Sequence, residues 1–243
     1  MAQLTQTPPA PRQLSLSVSL NDQARFDNFY VRLGSPNASI LALLQAQARG
    51  EGEAFVYLWG PPGVGLTHLL QAACHTAEAA GLSIQYLPLR ELLGFAPGSL
   101  LEEMDSLDFL CLDGLEAIAG RSDWEEALFH LYNRLHERGG RLLVAAVQGP
   151  RELPLGLPDL RSRLQWGVTC QLESLSDEHK REALRYRAKA RGLELSEEVA
   201  DYVLQRVSRD MNQLFCNLER LDHASLAEQR KLTIPFVKKV LNL

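Results

Sequence analysis

Residues 60–67, GPPGVGLT, could hold a phosphate. Glycines there let backbone N–H groups turn inward and approach an anion closely. A helix starting at the end of this stretch would add the positive end of its dipole. The stretch fits G-x-x-x-x-G-K-[ST] at every fixed position except the lysine, where Leu66 stands. Backbone donors survive that change, and Thr67 can still offer its hydroxyl to Mg²⁺. What is lost is the ammonium aimed at the outer phosphates. Asp113 closes an apolar run, FLCLD, and suits a hydrated Mg²⁺. The next position, where an acid would activate water, is Gly114, and Glu116 lies two residues further on. A later apolar run, RLLVAAV, reaches Val147 with no polar side chain before Gln148. Leu66, Gly114 and Val147 together predict a pocket that holds a nucleotide and hydrolyses it slowly. The plainer alternative is a Gly/Pro turn without a ligand, which the apolar run before it and the helical pattern after it disfavour.

Alternating elements must place these residues. Ser35 to Arg49 has helical periodicity behind cap-like residues, with Gly50 as a stop. AFVYLW (54–59) reads as a buried strand running into the loop, and HLLQAACHTAEAA (68–80) as a helix closed by Gly81. SIQYLPL, FLCLD and RLLVAAV read as further strands, with a helix over Asp123 to Arg138. Strands and helices in this alternation predict a parallel sheet covered on both faces.

Strand signals stop near residue 174. Four amphipathic stretches follow, beginning at Ser176, Ser196, Asp210 and Ile234. Ser176 and Ser196, each followed by acidic residues, are helix-start signals. The expected division is a tail over 1–21, an α/β domain over 22–173 and a small helical domain over 174–243. Within the tail, Gln13 to Leu20 alternates Leu14, Leu16, Val18 and Leu20 with polar residues, an extended pattern.

The chain has 243 residues and a formal net charge of −5, which argues against a whole-surface footprint for nucleic acid. No apolar run approaches the ~20 residues of a membrane span, and the N-terminus shows no secretory pattern. The default compartment is the cytoplasm. Cys74, Cys111, Cys170 and Cys216 form no C-x-x-C pair and read as buried free thiols.

From about Arg25 onward the sequence resembles the AAA+ domain of the DnaA-type bacterial replication initiators. The resemblance is carried by RFDNF (25–29), the phosphate loop, LCLDGLE and LFHLYNRL (128–135). LRSRLQWG (160–167) and the ending TIPFVKKVL (233–241) are its most specific stretches. It implies a five-stranded parallel AAA+ sheet followed by an all-helical lid, without the initiator's helix-turn-helix DNA reader. It places Phe26 and Phe29 at the adenine, and Gly60, Pro62, Gly63, Val64, Gly65, Leu66 and Thr67 around the phosphates. Thr67 and Asp113 would serve Mg²⁺. Arg163 matches the family's arginine finger, with Arg161 as the near competitor. Arg209, in RDMNQL, matches the nucleotide-sensing arginine of the lid.

The tail peptide QLSLSV looks like the short sequence that binds the replicative sliding clamp, through Gln13, Leu14, Leu16 and Val18. The resemblance therefore implies a negative regulator of replication initiation. Held by the clamp (the β subunit of DNA polymerase III) and through it by DNA, it would supply Arg163 to the ATP site of the DnaA initiator. Its own pocket would carry an adenine nucleotide, with ADP favoured and little ATPase activity. A homodimer or higher oligomer is compatible with this, and no membrane is involved. The rival readings are a helicase-loader-like ATPase, a DNA-remodelling factor, and a scaffold whose nucleotide site has no catalytic effect.

Overall fold

Two-residue alternation within the strands decides the layering. The computed structural model describes residues 20–207 and 210–243, so Arg209 and the peptide residues Gln13, Leu14, Leu16 and Val18 lie outside the described residues. A 3-10 turn, Phe26–Asn28, leads into α1 (Pro36–Ala48), β1 (Phe55–Trp59) and α2 (Leu66–Ala79). Next come β2 (Ile84–Pro88), the short helices α3 (Leu89–Leu92) and α4 (Pro97–Leu100), and β3 (Phe109–Asp113). Helix α5 (Ser122–Arg138), β4 (Arg141–Ala146), α6 (Pro158–Leu164) and β5 (Val168–Gln171) follow. The chain closes with α7 (Asp177–Ala190), α8 (Glu197–Arg206), α9 (Met211–Glu228) and α10 (Ile234–Leu241).

All strand pairings are parallel, in the order β2-β3-β4-β1-β5. Tyr57, Leu110, Leu112, Leu142 and Val144 face one side of the sheet and pack under Trp124, Leu128 and Leu131 of α5 and Leu160 of α6. Val56, Leu58, Phe109, Cys111, Leu143 and Ala145 face the other, against Leu44 of α1 and Leu69 and Leu70 of α2. Each such large side chain contributes about 1.5–3 kcal/mol on full burial. The helices after β5 enclose a separate core around Leu184, Val203, Leu214, Leu218, Phe236 and Val237.

Local chemistry sets the helix starts. The Ser35 side chain accepts from the Ala38 N–H, with Pro36 in the first turn. Ser176 accepts from His179, Ser196 from Val199, Asp210 from Gln213 and Thr233 from Phe236.

Three details differ from the sequence reading. The helix after the phosphate loop begins at Leu66 rather than His68, because Gly65 caps it in a left-handed conformation. Two short helices, α3 and α4, occupy a stretch that shows no periodic pattern. The four thiols are not all buried: Cys74 and Cys111 are, Cys170 is half-buried and Cys216 is exposed. Cys216 falls off the buried stripe of α9, which runs through Leu214, Leu218 and Leu221.

Candidate functional site

Strand order brings the phosphate loop and the acidic strand end together. β4 lies between β1 and β3, so the loop leaving β1 and Asp113 ending β3 flank the same gap at the carboxyl edge. Two strand spacings separate them, about 10 Å, which is room for a phosphate and a cation. Such carboxyl edges are where parallel α/β sheets bind ligands.

The loop is pinned by backbone bonds from Gly60 N to Ala146 O (3.3 Å) and from Val64 N to Pro61 O (3.4 Å). Two glycines are required by space as well as conformation. Gly65 has φ of 102°, and a Cβ there would stand 2.6 Å from Cε2 of Phe29. Gly63 has φ of 82°, and a Cβ there would collide with the Asp210 carboxylate. The start of α9 thus reaches across to the loop.

The loop divides two cavities. The inner one is lined by Phe29, Tyr30, Asn37, Val64, Lys180, Arg187, Met211 and Phe215, and the outer one by Leu66, Thr67, Asp113, Glu116, Val147 and Asn212. Pro62, Gly63, Gly65, His68 and Asn212 line both. Of the residues singled out in the sequence, Phe29, Pro62, Gly63, Val64, Gly65, Leu66, Thr67 and Asp113 therefore meet around one cleft.

Two do not line it. Phe26 is buried in the core under α1 and α2, because its 3-10 turn directs it inward while Phe29 turns out over the loop. Gly60 ends the strand behind the cleft, where a Cβ would press 2.6 Å against the Leu172 carbonyl. Arg209 lies outside the described residues.

The cleft also holds residues that the motifs miss. Arg187 is buried, donates to the Asn28 carbonyl at 3.2 Å and stands 5.5 Å from the Phe215 ring centroid. Lys180 lies two turns earlier on α7 and lines the same cavity. That seven-residue spacing along one helix face is the signal by which both could have been found. Tyr186 Oη donates to the Asp27 carbonyl at 2.6 Å, and Tyr30 Oη to Glu182, so α7 is fastened to the chain before α1. Burial and the Glu182 carboxylate push the Tyr30 phenol up to about 12.

His68 points Nε2 at the Arg25 carbonyl, 2.9 Å away, with its ring 5.5 Å from that of Phe29. A carbonyl only accepts, so the neutral ring carries its proton on Nε2. Burial holds the imidazole pKa below its ordinary value. The Asn37 amide donates to the Glu173 carbonyl at 2.9 Å and accepts from the Glu173 N–H at 3.0 Å, pinning the exit from β5 to α1.

At the acidic edge, Tyr86 Oη donates to Asp113 Oδ2 at 2.6 Å. Burial and that carboxylate raise the phenol pKa, keeping it a donor. One Asp113 oxygen is thus held in place. Among the described residues no group of three or more His, Cys, Asp or Glu side chains could hold a metal. The Thr67 hydroxyl and the Asp113 carboxylate share the outer cavity. They fit Mg²⁺ of the kind completed by phosphate oxygens and water, which needs only one or two protein carboxylates.

Arg163 belongs to a different face. It ends α6 and borders Phe55, Val56, Tyr132 and Gly167, around the start of β1. The phosphate loop leaves the far end of that strand, four residue steps or about 13 Å away. Its Nε donates to Asn133 Oδ1 at 2.8 Å. Its guanidinium lies 3.9 Å from the Trp166 ring centroid, and Trp166 is 60% exposed. Among the described residues its terminal Nη groups make no hydrogen bond. Arg161 instead donates to the Leu155 carbonyl of its own subunit.

Two family models match. The bacterial DnaA ATPase domain covers residues 20–171, and the lid domain of Hda covers residues 177–241. Among solved structures, the chain is similar to domain III of the Thermotoga maritima replication initiation protein DnaA. The TM-score is 0.75 at 23% identity, over 92% of this chain and 98% of that one. It is also similar to AMPPCP-bound DnaA from Aquifex aeolicus (TM-score 0.69, 24% identity, 82% and 65% of the two chains). The Thermotoga maritima RuvB Holliday junction branch migration motor shares the fold at a TM-score of 0.64 and 19% identity, over 87% and 69% of the chains.

Proposed function

Because the chain belongs to the bacterial DnaA ATPase-domain family, as an Hda- and DnaA-like AAA+ protein with a helical lid, we propose that it is a negative regulator of replication initiation. It acts by completing the ATP site of the DnaA initiator with Arg163. The observation that carries this is the position of Arg163: about 13 Å along β1 from the chain's own phosphate loop, with free Nη donors over an exposed tryptophan. A guanidinium so placed serves a neighbouring molecule's phosphate rather than its own. Presented to the γ-phosphate of ATP on the initiator, it stabilises the charge that develops as the outer phosphoryl group departs. An arginine supplied in trans raises such rates by about 10³–10⁵. The initiator is left with ADP.

The chain's own cleft keeps an adenine nucleotide, ADP in preference. Phe29, Tyr30 and Val64 enclose the base, and the loop from Pro62 to Thr67 presents backbone donors to the phosphates. Thr67 and Asp113 hold Mg²⁺ where it is present, and Arg209 takes the nucleotide-sensing role that the resemblance gives it. The departures at Leu66, Gly114 and Val147 support slow turnover. Gln13, Leu14, Leu16 and Val18 dock on the β clamp as an extended peptide. Leu16 and Val18 supply about 1.5–3 kcal/mol each on burial, offset in part by ordering the peptide. Several copies on a multi-subunit clamp would gain avidity.

The test is hydrolysis of DnaA-bound ATP with this protein, in the presence and absence of DNA-loaded clamp. Stimulation should appear with the loaded clamp and be lost in Gln13→Ala/Leu16→Ala. Stimulation that ignores the clamp removes the peptide's role, and none under any condition removes the function.

A further inference from the structure

The two cavities of the cleft differ in charge. In the inner one Lys180 and Arg187 stand in a wall that also holds Glu173 and Asp210, so its formal charges balance. The outer one has Asp113 and Glu116, with no lysine or arginine among its lining residues. Any phosphate beyond the loop enters the second environment. Leu66 removes the ammonium that would ordinarily meet it there.

Glu116 is fixed in that compartment. Its Oε2 accepts the Val147 N–H at 3.2 Å, at the end of β4 and so between the loop strand and the Asp113 strand. Gly114 makes this placement available. With φ of 78° and no side chain, it leaves a space whose Cβ position lies 3.7 Å from Glu116 Oε1. The Glu116 carboxylate therefore approaches the ground that residue 114 vacates. Asp113 differs in that a divalent cation would match its charge. The countercharge nearest Glu116 is Arg90, 4.0 Å away with a side chain that is 80% exposed, and such a pair offsets the carboxylate only in part.

Resting on the nucleotide-site reading above, we propose that Glu116 makes this cleft select a nucleoside diphosphate over a triphosphate. Its charge faces the place that the third phosphate would take, while the two inner phosphates lie nearer the glycine loop and the cavity whose carboxylates are balanced by Lys180 and Arg187. The selectivity comes from repulsion of the wrong ligand rather than from a new contact with the right one.

Calorimetric titration of the full chain with ADP and with a non-hydrolysable ATP analogue, both with Mg²⁺, tests this. The wild type should bind the diphosphate more tightly. Glu116→Gln keeps an acceptor for Val147 and should narrow the ratio by about tenfold or more, chiefly by tightening the triphosphate. Glu116→Asp, which keeps the charge, should stay close to the wild type. Arg90→Ala, changed only at the rim, should widen the preference and serves as the second variant if Glu116→Gln unfolds. An unchanged ratio in Glu116→Gln overturns the proposal, as does a wild type that prefers triphosphate. ATP turnover present in the wild type and lost in Glu116→Gln would make this carboxylate a water-activating base instead. A wild type that binds neither nucleotide yields no ratio and removes the nucleotide-site reading itself.

Discussion

The nucleotide cleft and the Arg163 face treat charge in opposite ways. In the cleft, polar groups turn inward and are tied to neighbours: Asp113 to Tyr86, Glu116 to Val147, Asn37 to Glu173, Arg187 to Asn28. On the other face, one guanidinium keeps its terminal donors and rests on an exposed ring, held sideways by Asn133. On the proposed function the cleft would enclose the nucleotide, and the far face would offer a charge whose orientation is already fixed, so little side-chain freedom would be lost to a partner. Holding and reaching would then fall to opposite ends of the strands of one α/β layer.

Substitutions can break this division. The largest effect is expected from Arg163→Ala: stimulation of the initiator's ATPase should fall by about 10³ or more, while nucleotide affinity and melting temperature stay near wild type. Equal loss of nucleotide binding would mean that the two faces are not separate. Gly65→Ala should do the converse. Its positive φ and the approach of Phe29 predict a stability loss of about 1–3 kcal/mol and at least a tenfold weaker nucleotide by titration, roughly 1.4 kcal/mol.

Trp166→Ala sharpens the comparison without removing the charge. An exposed cation–π contact contributes about 0.5–1 kcal/mol. Stimulation should drop a few-fold, with nucleotide binding untouched; no change would leave Asn133 as the sole support of Arg163. The smallest effect is one of pH. Burial depresses the His68 pKa, so below about pH 6.5 the unfolded chain takes up a proton that the folded chain resists. Stability is full above that value and declines as pH falls from it toward the folded value. Melting curves between pH 7.5 and 5.5 should show the decline, and His68→Gln should flatten it.

The sheet was legible because β1, β3 and β4 are short apolar runs whose alternate residues serve both faces. The cleft was legible in part because glycines with positive φ cannot be exchanged freely. β5 was implied by the family resemblance but not by its own residues. Val168-Thr169-Cys170-Gln171 is an edge strand with Thr169 and Gln171 exposed, so it carries too little apolar signal to stand out. Lys180 and Arg187 were hidden for a related reason. Helix α7 also carries Arg181, Arg185 and Lys189, which mask the seven-residue spacing of the inward pair; the contacts with Asn28 and Phe215 mark out Arg187. Phe26 misled because RFDNF offers two aromatics, and a single 3-10 turn decides which one is core.

The Asn37 amide makes both a donor and an acceptor bond to Glu173, as an adjoining strand would. Tyr186 to Asp27, Tyr30 to Glu182 and Arg187 to Asn28 add to this seam, so the helices beyond β5 are sewn to the segment from Asp27 to Asn37 at several points. Parting them to let a nucleotide out would mean breaking those stitches together, whereas the sheet that carries Arg163 could stay folded.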